Sequence, residues 1–434
     1  MKALLLAAGE GRRLDPFTQV RPKPVLPLAN RPLIRYLIDF VRQAGITDIA
    51  VVVGFKGEMV RQALATEKDI CFFAQENPDG PFGAVAAARE FITETTLLLC
   101  ADSFFHPDVI QEVITRSKGV VASVAAGVTK FPLYGWRAEA DDSGRLVGAT
   151  QVRGDKQFRC ENVLAGLAVI EPIVADAAIE APEKEWGPFL SALAQREEVR
   201  LISSGWELAD MDYPWQMHTA NRQAIEWQFT RRGPFISEKA VIHPGAVLEG
   251  QNVIADDVVI ETGCLIRNSW IGAGTNILAG SYVHNGFIGR NCHLGPGCFV
   301  NGGTADDDSI IGFNTSYKAL GLGRVGFSHE CHIVGVWDHG SGSSANCCST
   351  SSRHDGQTVK VKIDGELVES GLISVAPMIG YGASLAPGVN LMPGRKIGPY
   401  SVAGPDLIVY HDIPAETHII VRQQAESRKR QART

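Results

Sequence analysis

Residues 2–33 read KALLLAAGEGRRLDPFTQVRPKPVLPLANRPL. The stretch from Lys2 to Ala8 is an apolar run of the length and character of a buried strand in a parallel sheet. Gly9-Glu10-Gly11 follows at once. Two glycines at that place let the backbone turn sharply and approach a ligand closely, with N–H groups free to face an anion. Phosphate is the anion this pattern suits. Beyond the loop, Arg12, Arg13, Arg21 and Lys23 lie on a segment stiffened by Pro16, Pro22, Pro24 and Pro27. Rigidly held cations match a polyphosphate.

Working outward, LIRYLIDFVRQA (residues 33–44) spaces its apolar residues as a helix, and Gly45 ends it. Residues 48–53 read as a second strand, 60–65 as a short helix, 70–73 as a third strand, 84–91 as an alanine-rich helix and 95–100 as a further strand. This alternation predicts an α/β domain, Rossmann-like and doubly wound on a parallel sheet, with ligands at the carboxyl ends of the strands. The glycine loop occupies such an end. Gln75 and Gly80 follow the third strand, and a Gln amide can serve both a donor and an acceptor on a pyrimidine edge. Asp102 ends the strand 95–100, where a carboxylate beside a polyphosphate is a natural Mg2+ ligand.

The chain has 434 residues, net charge −7 and 45% hydrophobic content, which implies two or three domains and argues against a general nucleic-acid binder. Its nine cysteines contain no C-x-x-C pair, which suits a reducing cytoplasm. The apolar start meets Glu10, Arg12 and Arg13 too soon for a secretory signal. No run of about 18 apolar residues suggests a membrane span.

After an amphipathic stretch from Trp215 to Arg232, Gly233-Pro234 marks a boundary. Ile236, Ile242, Leu248, Ile254, Ile260 and Ile266 then recur every sixth residue. The count slips by one at Ile271, resumes through Ile277 and Val283, and slips again before Ile288, Leu294 and Val300. Ile379, Leu385, Leu391 and Ile397 restore it. Hexapeptide periodicity predicts a parallel β-helix with one aliphatic side chain per face turned inward. Between the blocks, VKVKIDGELVES predicts a hairpin about Asp364-Gly365. The expected domains are thus 1–232, 233–415 and a solvated tail, 416–434, read as a frayed helix.

The string from Leu6 to Pro24 resembles the signature L-A-A-G-x-G-x-R-L-x-P-x-T-x-x-x-P-K-P of the sugar-1-phosphate nucleotidyltransferases. This resemblance implies that Leu6, Ala8, Gly9 and Gly11 lie against an NTP, that Arg13 and Lys23 neutralise its phosphates, and that Gln75 and Gly80 hold its base, favouring UTP or dTTP. Asp102 and Asp210 would hold Mg2+, with Asp212 as the rival for the second position. Gly135, after Tyr134, would approach the sugar of a sugar 1-phosphate. Three positions depart from the family: Pro81 replaces a threonine, Val152 the lysine that contacts the sugar phosphate, and Leu164 an asparagine. Arg153 or Lys156 would have to supply the missing cation.

The segment RHDGQTVKVKIDG, with the later hexads and VYHDIP, resembles the archaeal-type bifunctional sugar-1-phosphate nucleotidyltransferase/amino-sugar-1-phosphate acetyltransferases. That resemblance implies a left-handed β-helix, a homotrimer or higher oligomer through it, and acetyl-CoA as a second cofactor where the second activity is retained. Its acetyltransferase residues would be His329, as base, and Lys360, whereas Ser351 stands in place of an asparagine. His329, Cys331, His332 and His339 fit no compact zinc spacing. The alternatives are therefore a nucleotidyltransferase, a bifunctional enzyme, and a non-catalytic NDP-sugar-binding homologue.

Overall fold

The computed structural model of the protein describes residues 1–129, 134–153, 160–422, 424 and 426. Its first half is built on a sheet whose central strands run in the order Val199–Glu207, Ala122–Thr129, Cys160–Ile170, Thr96–Cys100, Lys2–Ala7, Ile49–Val53, Ile70–Ala74. Lys2–Ala7 is parallel to both its neighbours, and its side chains from Ala3 onward are buried on both faces of the sheet, as a nearly continuous aliphatic run requires. One correction to the parallel expectation is needed. Cys160–Ile170 runs antiparallel to Thr96–Cys100 and to Ala122–Thr129. The chain enters that strand through the antiparallel pair Tyr134–Ala140 and Leu146–Arg153 instead of a crossover helix, so no parallel return is imposed.

The helix Leu33–Gln43 buries Leu33, Ile34, Leu37, Ile38 and Val41 on its core face and ends at Gly45, with φ +83°. Tyr36 and Phe40 of the same helix pack edge-on against Phe104 and Trp227. These contacts fix the helix Met217–Arg232, which closes the first half and stops at Gly233, with φ +68°.

From Phe235 onward the chain winds as a parallel β-helix. Phe235 pairs with Val253, Val253 with Trp270, Trp270 with Phe287 and Phe287 with Thr304. The one-residue slips in the hexad count are the places where a rung shortens, so the aliphatic stack is kept in register. Ile254, Ile260, Ile266, Ile271, Ile277, Val283, Ile288, Leu294 and Val300 are all fully buried. Ile236 and Ile242, in the first rung, remain exposed because nothing stacks on that end of the coil among the described residues. Asn and Asp recur at corners with positive φ, including Asn268, Asn285, Asn291, Asp308 and Asn314, where their short side chains tolerate the left-handed conformation.

All nine cysteines are free thiols. Cys264, Cys292 and Cys298 occupy buried corners and contact carbonyls of the next rung, as Thr275 and Ser281 do with their hydroxyls. Burial pushes the Cys292 thiol up to about 12 and that of Cys298 to about 11, which keeps them inert donors.

The tail begins later than expected. His418–Ile419 pairs with Val402–Ala403, so the coil extends past residue 416, and residues 427–434 lie outside the described residues. The hairpin forms as Lys360–Ile363 and Glu366–Glu369, with Asp364 and Gly365 both at positive φ in the two-residue turn.

The two halves share a core. Phe287, Leu320, Leu322, Val336 and Met378 of the coil belong to the same buried cluster as Trp215, Met217 and the Leu33–Gln43 helix. Val361 and Ile363, on the inner face of the hairpin, join it too, which fastens the hairpin and carries its tip toward the glycine loop. Across the junction Asn221 Nδ2 donates to Thr304 Oγ1 at 2.8 Å, and Asn30 Nδ2 to the Ala305 carbonyl at 3.0 Å.

Candidate active site

The ends of the strands Lys2–Ala7, Ile70–Ala74 and Thr96–Cys100 open into one cavity of about 560 Å3. Leu6, Ala8, Gly9 and Gly11 form one wall, Gln75 and Gly80 another, and Arg13, Lys23 and Asp102 the floor. Nine of the residues singled out in the sequence thus meet in one place.

Gly11 sits at φ +67°, and a Cβ there would lie 2.9 Å from Lys23 Cγ, so the loop closes over the lysine only because the residue is glycine. Thr18 Oγ1 donates to the Gly11 carbonyl at 2.9 Å and pins the turn. Gly80 is constrained likewise: at φ +106°, a Cβ would meet the Lys184 carbonyl oxygen at 2.7 Å. Gln75 Nε2 donates to Asp79 Oδ1 at 2.9 Å and to the Gly80 carbonyl at 3.1 Å, which aligns its amide across the cavity wall.

The backbone brings the acids together. Ser103 and Asp210 form an antiparallel bridge, and the Met211 N–H donates to the Asp102 carbonyl at 3.0 Å. Ser103 Oγ touches both carboxylates, at 3.4 Å from Asp102 Oδ1 and 3.3 Å from Asp210 Oδ1. The sequence left Asp210 and Asp212 as rivals, and the structure brings both to the same place: one oxygen each of Asp102, Asp210 and Asp212 lie within 4.8 Å of one another. Lys23 Nζ stands 3.3 Å from Asp102 Oδ2 and 3.0 Å from Asp212 Oδ1, and Arg13 Nη2 is 2.7 Å from Asp212 Oδ1.

Burial works against the Lys23 charge, but Asp212, Asp102 and Asp210 outweigh it and raise the pKa, so the ammonium is retained. Asp212 is held below the usual carboxylate range despite its burial, because Lys23 and Arg13 face it. Asp210 goes the other way. Desolvation, then repulsion from Asp212 and Asp102, push its carboxyl well above the ordinary value. Three carboxylates thus face two cations, an oxygen-only donor set one positive charge short, which fits a hard divalent ion.

A pH dependence follows. Below its raised pKa, Asp210 carries a proton where a cation would bind, so divalent affinity should rise as pH climbs through that pKa, and binding should release a proton. Calorimetric titration with MgCl2 in buffers of different ionisation enthalpy measures that proton. A binding heat independent of buffer ionisation enthalpy, with no proton released on binding, would refute the assignment.

Other expected positions stand apart. Gly135 pairs with Val152 in the strand Tyr134–Ala140 and lines none of the described cavities, and Lys156 lies outside the described residues. His329 stacks on Phe313 at 4.5 Å at a coil corner, whereas Lys360 is on the hairpin, and the two share no cavity among the described residues. Two residues escaped the sequence reading. Glu185 lines the cavity, its carboxyl raised by burial, and Asp364 reaches the cavity from the hairpin tip. No local signal marks either, because both arrive through tertiary packing.

A glycine loop, a buried lysine with an arginine beside it, and convergent carboxylates at the strand ends of an α/β sheet, backed by a β-helix, form a site of the class that handles a nucleotide's phosphates. More particularly, residues 2–146 match the family model described as Nucleotidyl transferase, and residues 232–319 match that described as the GMPPB C-terminal domain. The chain is 26% identical to the low-salt glycan biosynthesis nucleotidyltransferase Agl11 of Haloferax volcanii, over 60% of this chain and 71% of that protein. It is 26% identical to the bifunctional protein GlmU of Methanococcus maripaludis, over 62% of each. It is 25% identical to a glucose-1-phosphate thymidylyltransferase of Streptomyces griseus, over 64% of this chain and 82% of that protein. The chain therefore spans less than two thirds of the GlmU relative's length. No helix among the described residues is long and apolar enough to cross a membrane.

Proposed function

We propose that the protein transfers a nucleotidyl group from an NTP to a sugar 1-phosphate, giving an NDP-sugar and pyrophosphate. The observation that carries this reading is the convergence of Arg13, Lys23, Asp102, Asp210 and Asp212 at the glycine loop. The sugar phosphate oxygen attacks the α-phosphorus, the bond to the bridging oxygen breaks, and pyrophosphate leaves with that electron pair. Lys23 and Arg13 lie where they offset the charge that builds on the phosphates, and a buried setting strengthens that effect. Asp102 and Asp210, with Asp212 beside them, would hold Mg2+, which when bound shields the negative charge of the phosphates.

Gln75 and Gly80 support a pyrimidine base, and UTP or dTTP is the favoured donor; a thymidylyltransferase among the relatives agrees with that preference. Residues 1–232 form the unit that carries the reaction, and the β-helix contributes Asp364 to its rim. The test is a screen of NTPs against sugar 1-phosphates with pyrophosphate detection. Turnover of UTP or dTTP with at least one sugar 1-phosphate is expected. Tight nucleotide binding with no product from any pair would establish the non-catalytic NDP-sugar-binding reading instead.

A further inference from the structure

A second cleft, of about 230 Å3, lies where Pro214, Trp215 and His218 meet the coil strands Ser316–Leu322 and His332–Asp338. It is separate from the nucleotide cavity and shares no lining residue with it. Its polar side chains are Lys318, His218, Ser351, Ser374 and the indole of Trp215, and no carboxylate lines it. Exposed Lys318 has no acidic partner among the described residues, whereas Arg13 and Lys23 of the nucleotide cavity are tied to aspartates. Trp215 is only 7% exposed, and its Nε1 has no hydrogen-bond partner. An orphaned buried N–H costs free energy that a ligand or water can recover. The cleft also faces the N-terminal turn of the helix Met217–Arg232, whose dipole favours negative charge. Val334, Val336, Leu372, Val375 and Met378 supply apolar walls.

We propose that this cleft binds a small organic anion, its charged group at Lys318 and its body against the apolar wall, and that occupancy is transmitted to the nucleotide cavity. The space holds about eight water-sized groups, enough for a short carboxylate or phosphate ester and too little for a nucleotide. The route of transmission is one contiguous stack. Trp215 lies parallel to Tyr213, ring centroids 4.8 Å apart and 10° between planes. The Arg13 guanidinium sits 5.4 Å above the same Tyr213 ring and pairs with Asp212. A ligand that fixes Trp215 therefore fixes the ring on which Arg13 rests. The transmission rests on the reading that Arg13 faces the nucleotide; the binding does not.

Calorimetry on the full chain separates the two. The probes are 3-methylbutanoate, propyl phosphate, inorganic phosphate and neutral 3-methylbutanamide, and the variant is Lys318→Met. One or both organic anions should bind saturably, and Lys318→Met should weaken that binding about 10-fold or more. The tighter organic anion names the head group. No saturable heat from any probe, equal binding by the variant, or equal binding of the neutral amide would each overturn the site. Inorganic phosphate binding as tightly as either organic anion would overturn the apolar-body assignment. A saturating organic anion should shift the affinity for Mg–UTP about 5-fold or more in the wild type and not in Lys318→Met. An unchanged affinity overturns the transmission, and since no turnover is read, failure of the catalytic proposal leaves this result interpretable.

Discussion

Lys23→Ala should lower kcat/KM for NDP-sugar formation by about 10²–10³-fold, the loss that follows removal of one preorganised charged donor from a developing phosphate charge. The side chain is buried, 3.0 Å from Asp212 and 3.3 Å from Asp102, and no other lysine among the described residues lines the cavity. Arg13 remains in the variant, but its guanidinium is engaged with Asp212 and stacked over Tyr213, so it cannot move into the vacated position. The variant also removes a positive charge beside the acids, and a doubly charged ion gains more from that loss of repulsion than a competing proton does, so divalent binding is kept or strengthened. Two opposite readouts therefore separate lost catalysis from lost folding: turnover collapses while calorimetric Mg2+ affinity is kept or improved. Lys239→Ala, at an exposed pair with Asp256 in the first coil, serves as the control and should change neither. Equal turnover of wild type and Lys23→Ala would remove Lys23 from the chemistry.

The hexad count carried residues 236–300 and 379–397, because a coil that stacks one aliphatic residue per face leaves its period in the sequence; the coil strands between them, such as Gly326–Phe327, Gly342–Ser343 and Cys348–Ser349, were not legible, since their inward positions include serine and the count of six is lost there. Even the slips were legible, since a shortened rung must displace every later inward residue by one. The first half was readable where strand and loop are contiguous: Lys2–Ala7 running into Gly9 and Gly11 needs no distant partner to declare itself. The antiparallel direction of Cys160–Ile170 was not readable, since direction depends on the connection and not on the strand's own residues. Asp212 shows the same limit within the site. A spacing of two along an extended segment sets both side chains on one face, but nothing local says what that face meets, and it is the bridge of Asp210 to Ser103 that brings the segment to Lys23. Asp364 was visible as a turn residue and invisible as a cavity residue, for it arrives from more than three hundred positions away on a hairpin whose Val361 and Ile363 are clamped in the shared core.

That shared core has a charged member, and its removal should produce the largest loss of stability. Arg21, on the proline-stiffened segment, pairs through Nη2 with Asp338 of the coil and donates to the Leu322 carbonyl at 2.7 Å. Asp338 is fully buried; its Oδ1 also accepts from the His339 N–H at 2.7 Å, and its Oδ2 has no partner. Burial pushes the Asp338 carboxyl up to about 6 even with Arg21 beside it, so desolvation already exceeds what the pair returns. A carboxyl raised in the folded state contributes its full stability below its unfolded pKa and loses it as pH rises through about 6. Arg21→Ala strands that carboxylate and should cost about 3–5 kcal/mol at pH 8, read as a fall in unfolding midpoint. The deficit should narrow toward pH 5, where the stranded group can take up a proton instead of remaining charged. The double variant Arg21→Met with Asp338→Leu should recover most of the loss, because an apolar pair of similar bulk needs no solvation. A deficit that is the same at both pH values, or a double variant no better than Arg21→Ala, would show that Arg21 acts through its carbonyl contact with Leu322 and not through the buried charge.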